Sequence, residues 1–73
     1  MLTENLRALR EDADLSQKKV AEVLQITQQQ YQLYESGKRE LPIHHLTALC
    51  RFYDVSADYL LELPSDLKWP RNP

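Results

Sequence analysis

Apolar residues recur along this chain at helical intervals, and five helices can be read from them. Leu2, Leu6, Leu9 and Ala13 step by four, three and four, giving a first helix over about residues 3–13 with Thr3 as its cap. A second helix runs from Ser16 to about Leu24. Ser16 is placed to cap it, and Leu15 and Val20 bracket its start as a hydrophobic staple, while Val20, Ala21 and Leu24 form the inward face. The third repeats this design: Thr27 caps it, Gln30 completes a capping box, Ile26 and Tyr31 are the staple, and Gly37 ends it in the left-handed position. The fourth starts near Pro42 as first helical residue and turns Ile43, Leu46, Leu49, Cys50 and Tyr53 inward. The fifth begins at the cap Ser56, with Val55 and Leu60 as staple, and ends near Leu63. Pro64, Pro70 and Pro73 make residues 64–73 a tail, outside a single helical domain over 1–63.

Composition supports an all-α class. Leu occurs 13 times, whereas Val, Ile and Thr together occur 8 times, and the branched residues are the strand formers. At 73 residues there is one small domain, able to bury about 60% of its unfolded surface. The one Gly excludes a phosphate-cradling loop or a dinucleotide fingerprint, which need several residues at positive φ. One Cys excludes an internal disulfide and a cysteine zinc cluster. No apolar run approaches the roughly 20 residues of a membrane span, and no secretory leader precedes the first helix. Together with the free thiol, this points to the cytoplasm.

The third helix carries the most informative pattern. With Gln28 at 0° and about 100° per residue, Tyr31 and Tyr34 fall near 300° and 240°, while Gln28, Gln29, Gln32, Leu33 and Ser36 fall between about 0° and 140°. One face is core and the other is rich in glutamine. All six Gln lie between residues 17 and 32. Charge follows the same division: the net −2 of the chain resolves into −2 over residues 1–15, +2 over 16–39 (Lys18, Lys19, Lys38 and Arg39 against Glu22 and Glu35), and −2 over 40–73. Glutamine pairs with adenine edges in a major groove, although the same cluster also fits an ordinary solvated helix surface. Three residues, Gln25, Ile26 and Thr27, join the second and third helices, the connection length of a helix-turn-helix.

These stretches resemble the Cro/lambda-repressor type of helix-turn-helix, the XRE family. Leu15-Ser16-Gln17-Lys18-Lys19-Val20-Ala21-Glu22-Val23-Leu24 is similar to its second helix, Tyr34-Glu35-Ser36-Gly37-Lys38-Arg39 to the close of its third, and Val55-Ser56-Ala57-Asp58-Tyr59-Leu60-Leu61 to its fifth. The likeness spans about residues 2–63. Where the family commonly has Gly in the turns after helices 1, 2 and 4, this chain has Asp14, Gln25 and Asp54.

The resemblance implies a compact five-helix DNA-binding domain. It implies that Gln28, Gln29, Gln32 and Leu33 reach base edges, that Gln17 bonds a phosphate and braces Gln28, and that Lys38 and Arg39 meet the backbone; Lys18 and Ser36 are counted with them as phosphate contacts, Lys18 with a merely solubilising role as its alternative. Arg10 and Glu35 match a helix 1 to helix 3 ion pair, so that Arg10 is structural, a phosphate contact, or both. The partner so implied is double-stranded DNA, with a bacterial or phage transcriptional repressor as the leading function. An antitoxin, or a protein-interaction module on the same fold, are the alternatives. Reading a genomic site with one short helix calls for a homodimer, and Tyr59, Leu63, Leu67 and Trp69 are the apolar residues free to form its surface or to fold back on the monomer. Cys50 reads as core, and His44 and His45 point about 100° apart on a helix, unsuited to one metal. No catalytic constellation, cofactor motif or small-molecule site is legible, so the sequence points away from an enzyme.

Overall fold

A computed structural model describes residues 1–63 as five α-helices: α1 (Leu2–Asp12), α2 (Gln17–Leu24), α3 (Gln28–Glu35), α4 (Ile43–Tyr53) and α5 (Ala57–Leu61). The expected all-α, five-helix class is what the chain adopts. The tail and the expectations placed on Leu67 and Trp69 lie outside the described residues.

Three of the four helix junctions are built from one three-residue unit. Its first residue takes a left-handed backbone: Asp14 (φ 59°), Gln25 (φ 59°) or Asp54 (φ 56°). Its second is apolar, Leu15, Ile26 or Val55, and donates its N–H back to a carbonyl five residues earlier (Arg10, Ala21 and Cys50, each at 3.0 Å). This is a Schellman closure, and the apolar residue packs on the core, as that motif favours. Ser16, Thr27 or Ser56 is third, in extended conformation, and accepts the N–H of Lys19, Gln30 or Tyr59 at 3.0–3.1 Å. At the α2–α3 and α4–α5 junctions the unit fills the whole connection, and after α1 only Ala13 precedes it. The unit explains how the chain manages with a single glycine: Asp tolerates the left-handed region better than most residues, and Gln25 occupies it at a cost of about 1 kcal/mol. Gly37, at φ 81°, takes the same role after α3, where a β-carbon would sit 3.4 Å from Thr3 Cγ2.

Several local expectations are corrected. Thr3 lies inside α1, whose cap is Met1 with no side-chain bond. Gln30 does not return to Thr27; its amide donates to the Tyr34 hydroxyl at 3.2 Å, so only half of the capping box forms. Pro42 precedes α4 as its cap in extended conformation, consistent with its fixed φ and missing N–H. α5 ends at Leu61, because Glu62 adopts φ 55° and closes it. Ala13 is exposed. Ile43 is 80% exposed: it lies about 120° round α4 from Leu49 and in the first turn, past the end of the core. His45 takes the inward place instead, one turn before Leu49 on the same stripe.

The core gathers Leu6, Val20, Ala21, Leu24, Tyr31, Tyr34, Leu49 and Leu60, flanked by Leu2, Leu9, Leu15, Ile26, Leu41, Leu46, Ala48, Cys50, Tyr53 and Val55. α2 packs on α3, α3 on α1, and α4 on both α2 and α5. α1 and α5 are also tied by Asn5, which donates to the Leu60 carbonyl at 3.1 Å, and by the Met1 ammonium beside Glu62. Burial pushes the Cys50 thiol up, in keeping with a packing role. No helix among the described residues is long and apolar enough to cross a membrane.

Candidate nucleic-acid interface

The inward face of α3 holds Tyr31, Tyr34 and Glu35, all buried. Its outward face holds Gln28, Gln29, Gln32 and Ser36, exposed, with Leu33 half-buried beside them. Packing of α3 through its tyrosines therefore decides which side is offered to solvent. Gln17, at the start of α2, joins Gln28, Gln29 and Gln32 around a shallow open depression of about 270 Å³. The two helices of the turn thus present four carboxamides together.

Beneath them lies a polar knot. Arg10 donates from Nε and Nη2 to the two oxygens of Glu35 at 2.9 and 2.8 Å, and from Nη1 to the Leu15 carbonyl at 2.9 Å. Gln17 Nε2 donates to Glu35 Oε1 at 3.2 Å, so its hydrogen bond goes to Glu35 and not to Gln28. Arg7 Nε stands 3.7 Å from the same oxygen, from the solvent side. Glu35 is 2% exposed. Burial alone would raise its pKa, but the hydrogen bonds from Arg10, joined by that from Gln17, hold the carboxyl below the usual range. The Tyr31 phenol is pushed well above its ordinary value by burial and then by the Glu35 carboxylate. The Tyr31 and Tyr53 hydroxyls are buried without a hydrogen-bond partner among the described residues.

Three nitrogens of Arg10 are committed inside the domain and its side chain is only 15% exposed, the arrangement of a structural ion pair. Lys18, Lys38 and Arg39 are exposed at the two ends of the glutamine face. The Arg39 backbone is anchored to the Leu33 carbonyl at 3.1 Å, and the Ser36 hydroxyl donates to that carbonyl at 3.2 Å. Tyr59 and Leu63 are 55% and 45% exposed, away from α2 and α3 in sequence.

Sequence reasoning missed the aromatic contact behind α3. His45 is 9% exposed, with its ring centroid 5.8 Å from Tyr34 and 4.1 Å from His44. Its spacing of four from Leu49 was the available signal.

Comparison with known proteins agrees with this geometry. A helix-turn-helix family model matches residues 6–60. The chain belongs to that helix-turn-helix family. Among curated proteins of Bacillus subtilis (strain 168) it is similar to the uncharacterized HTH-type transcriptional regulator YobD, 38% identical over 66 residues, covering 90% of this chain and 59% of that protein. It is similar also to the uncharacterized HTH-type transcriptional regulator YqaE, 40% identical over 68 residues, with coverage of 93% and 59%. A third relative is the SPbeta prophage-derived uncharacterized HTH-type transcriptional regulator YonR, 40% identical over 62 residues, with coverage of 85% and 57%. The chain thus spans under two thirds of the length of each of these relatives.

Proposed function

We propose that this chain is a sequence-specific double-stranded DNA-binding transcriptional regulator of bacterial or phage type, acting in the cytoplasm as a repressor. α3 enters the major groove. Gln28, Gln29 and Gln32 hydrogen-bond base edges there, with adenine N6 and N7 as the natural bidentate partners, and Leu33 packs on a thymine methyl. The observation that carries this reading is the division of α3 into a buried tyrosine face and an exposed carboxamide face. The latter has no apolar partner among the described residues, and Gln17 is fixed beside it through the Arg10–Glu35 pair. Gln17, Lys18, Ser36, Lys38 and Arg39 take the phosphates on either side. These contacts set register, and the base edges carry the sequence information.

The working unit is a homodimer. One helix of eight residues reads only a few base pairs. Two copies about a two-fold axis place their α3 helices about 34 Å apart, one turn of B-DNA. Tyr59 and Leu63, exposed on and after α5, are the surface for that contact, with Leu67 and Trp69 beyond them in the chain.

Selection of bound duplexes from a random DNA pool tests the proposal. A two-fold related consensus rich in A·T pairs is expected, with affinity falling steeply as salt rises. Failure to enrich any sequence, or salt-independent retention, would leave a protein-interaction module on the same fold as the better account.

A further inference from the structure

Behind the recognition helix, three rings cross from α4 to α3. His44 and His45 occupy the first turn of α4 with ring centroids 4.1 Å apart, and His45 lies 5.8 Å from Tyr34 of α3. The Tyr34 hydroxyl in turn accepts the Gln30 amide at 3.2 Å. Gln30 follows directly on Gln28 and Gln29. The contact chain therefore runs from the start of α4 to the first turn of the helix that carries the carboxamide face. His45 is its buried centre, while His44 is exposed.

We propose that His45 is a proton-operated latch on α3: neutral, its tilted ring packs against Tyr34 and helps hold the helix in its DNA-reading position; protonated, it leaves that contact and loosens the position. The inference rests on the reading of α3 as the DNA-contacting helix.

The surroundings of His45 all disfavour a positive charge. The first turn of α4 contains no acidic residue, and backbone N–H groups there present the positive end of the helix dipole. Burial comes first and the neighbouring His44 second in lowering the His45 pKa; no other charged group of the described residues contributes appreciably. From α3 the facing group is Tyr34, while Glu35 is turned to Arg10. Lys38, Arg39 and Glu40 lie in the loop that leads into α4, and the charged residues of α2, which also packs on α4, are Lys18, Lys19 and Glu22. A proton on His45 thus gains no counter-ion in place, and relief comes from moving the ring toward water. The sign follows. The folded-state pKa lies below the ordinary 6.5, so the packing contribution is complete above that value and is lost as pH falls from it through the folded-state pKa.

The test compares the intact chain with His45→Phe, which keeps an aromatic ring and removes the titration, and with His44→Gln. DNA affinity on the selected site and unfolding by denaturant are both measured from about pH 7.5 to about pH 5.5, the range in which histidine titrates. Relative to His45→Phe, the wild-type chain is expected to lose affinity on the order of fivefold or more across that range, the lower end of ordinary coupling between two sites. Its stability should fall over the same interval. In His44→Gln the transition should move to higher pH, because the competing charge is gone. Should His45→Phe fail to fold, His45→Gln serves the same comparison. Parallel pH profiles for wild type and the His45 variant in both measurements would overturn the latch. A pH-dependent stability difference without binding to any DNA would leave the proton-operated packing standing and defeat the DNA-binding reading instead.

Discussion

Arg10 and Glu35 meet through two parallel hydrogen bonds of 2.9 and 2.8 Å although 25 residues separate them. The pair joins α1 to the end of α3, and the same carboxylate holds Gln17 of α2. One buried acid therefore fixes the mutual setting of the three helices from which the carboxamide face is made. Such a pair is weak as a net source of stability, because two charges must be desolvated. Its consequence is geometric: α3 is set at one rotation.

Removing one partner should be costly. Arg10→Met strands the Glu35 carboxylate in the core, and a loss of about 3 kcal/mol is expected by denaturant unfolding, whereas an exposed arginine would cost a few tenths. Acid response should change too. In the native chain the Glu35 pKa lies below its ordinary value of 4.5, so its contribution is whole above 4.5 and disappears as pH falls through the folded-state value. In Arg10→Met that acid-labile contribution should vanish. An unaltered acid limb would show that the pair does not set it.

Gln28→Ala and Gln29→Ala should each cost about 1–3 kcal/mol on the selected DNA site and little on random duplex. Both occupy the first two positions of α3, opposite Tyr31 and Tyr34. Equal losses on specific and random DNA would remove them from base reading.

Lys38 and Arg39 should behave differently. Neutralising either is expected to weaken binding to all duplexes alike and to lower the salt slope by about one. A slope that stays the same places the residue outside the interface.

Backbone geometry makes a prediction of opposite sign at two turns. Gln25 holds φ 59° without being glycine, so Gln25→Gly should stabilise by about 1 kcal/mol. Gly37→Ala should destabilise by a similar amount, from the left-handed φ of 81°. Thermal or chemical unfolding of the two variants checks both signs at once.

The dimer can be tested by sedimentation at micromolar concentration, with the intact chain and a form ending at Leu63. A dimer weakened by Tyr59→Ser is expected. A monomer in every case, binding DNA without cooperativity, would refute the assembly.

What the sequence by itself determined was everything carried by short-range pattern. The five helices, the caps Ser16, Thr27 and Ser56, the left-handed Gly37 and the burial of Tyr31 and Tyr34 follow from spacing and from residue chemistry within one or two turns. The glutamine face was legible for the same reason: once two tyrosines mark the core side of a helix, periodicity assigns the other side. Tertiary structure decided what depends on residues distant in sequence. Gln30 had two possible partners within its own helix, and the packing of Tyr34 selected one. The start of α4 could turn Ile43 or His45 inward, and only the position of α3 made His45 the buried choice. Gln17 could have turned to Gln28; Glu35, brought beside it by the fold, holds it together with Arg10. In each case local propensity left alternatives of nearly equal energy, and a contact across the sequence separated them.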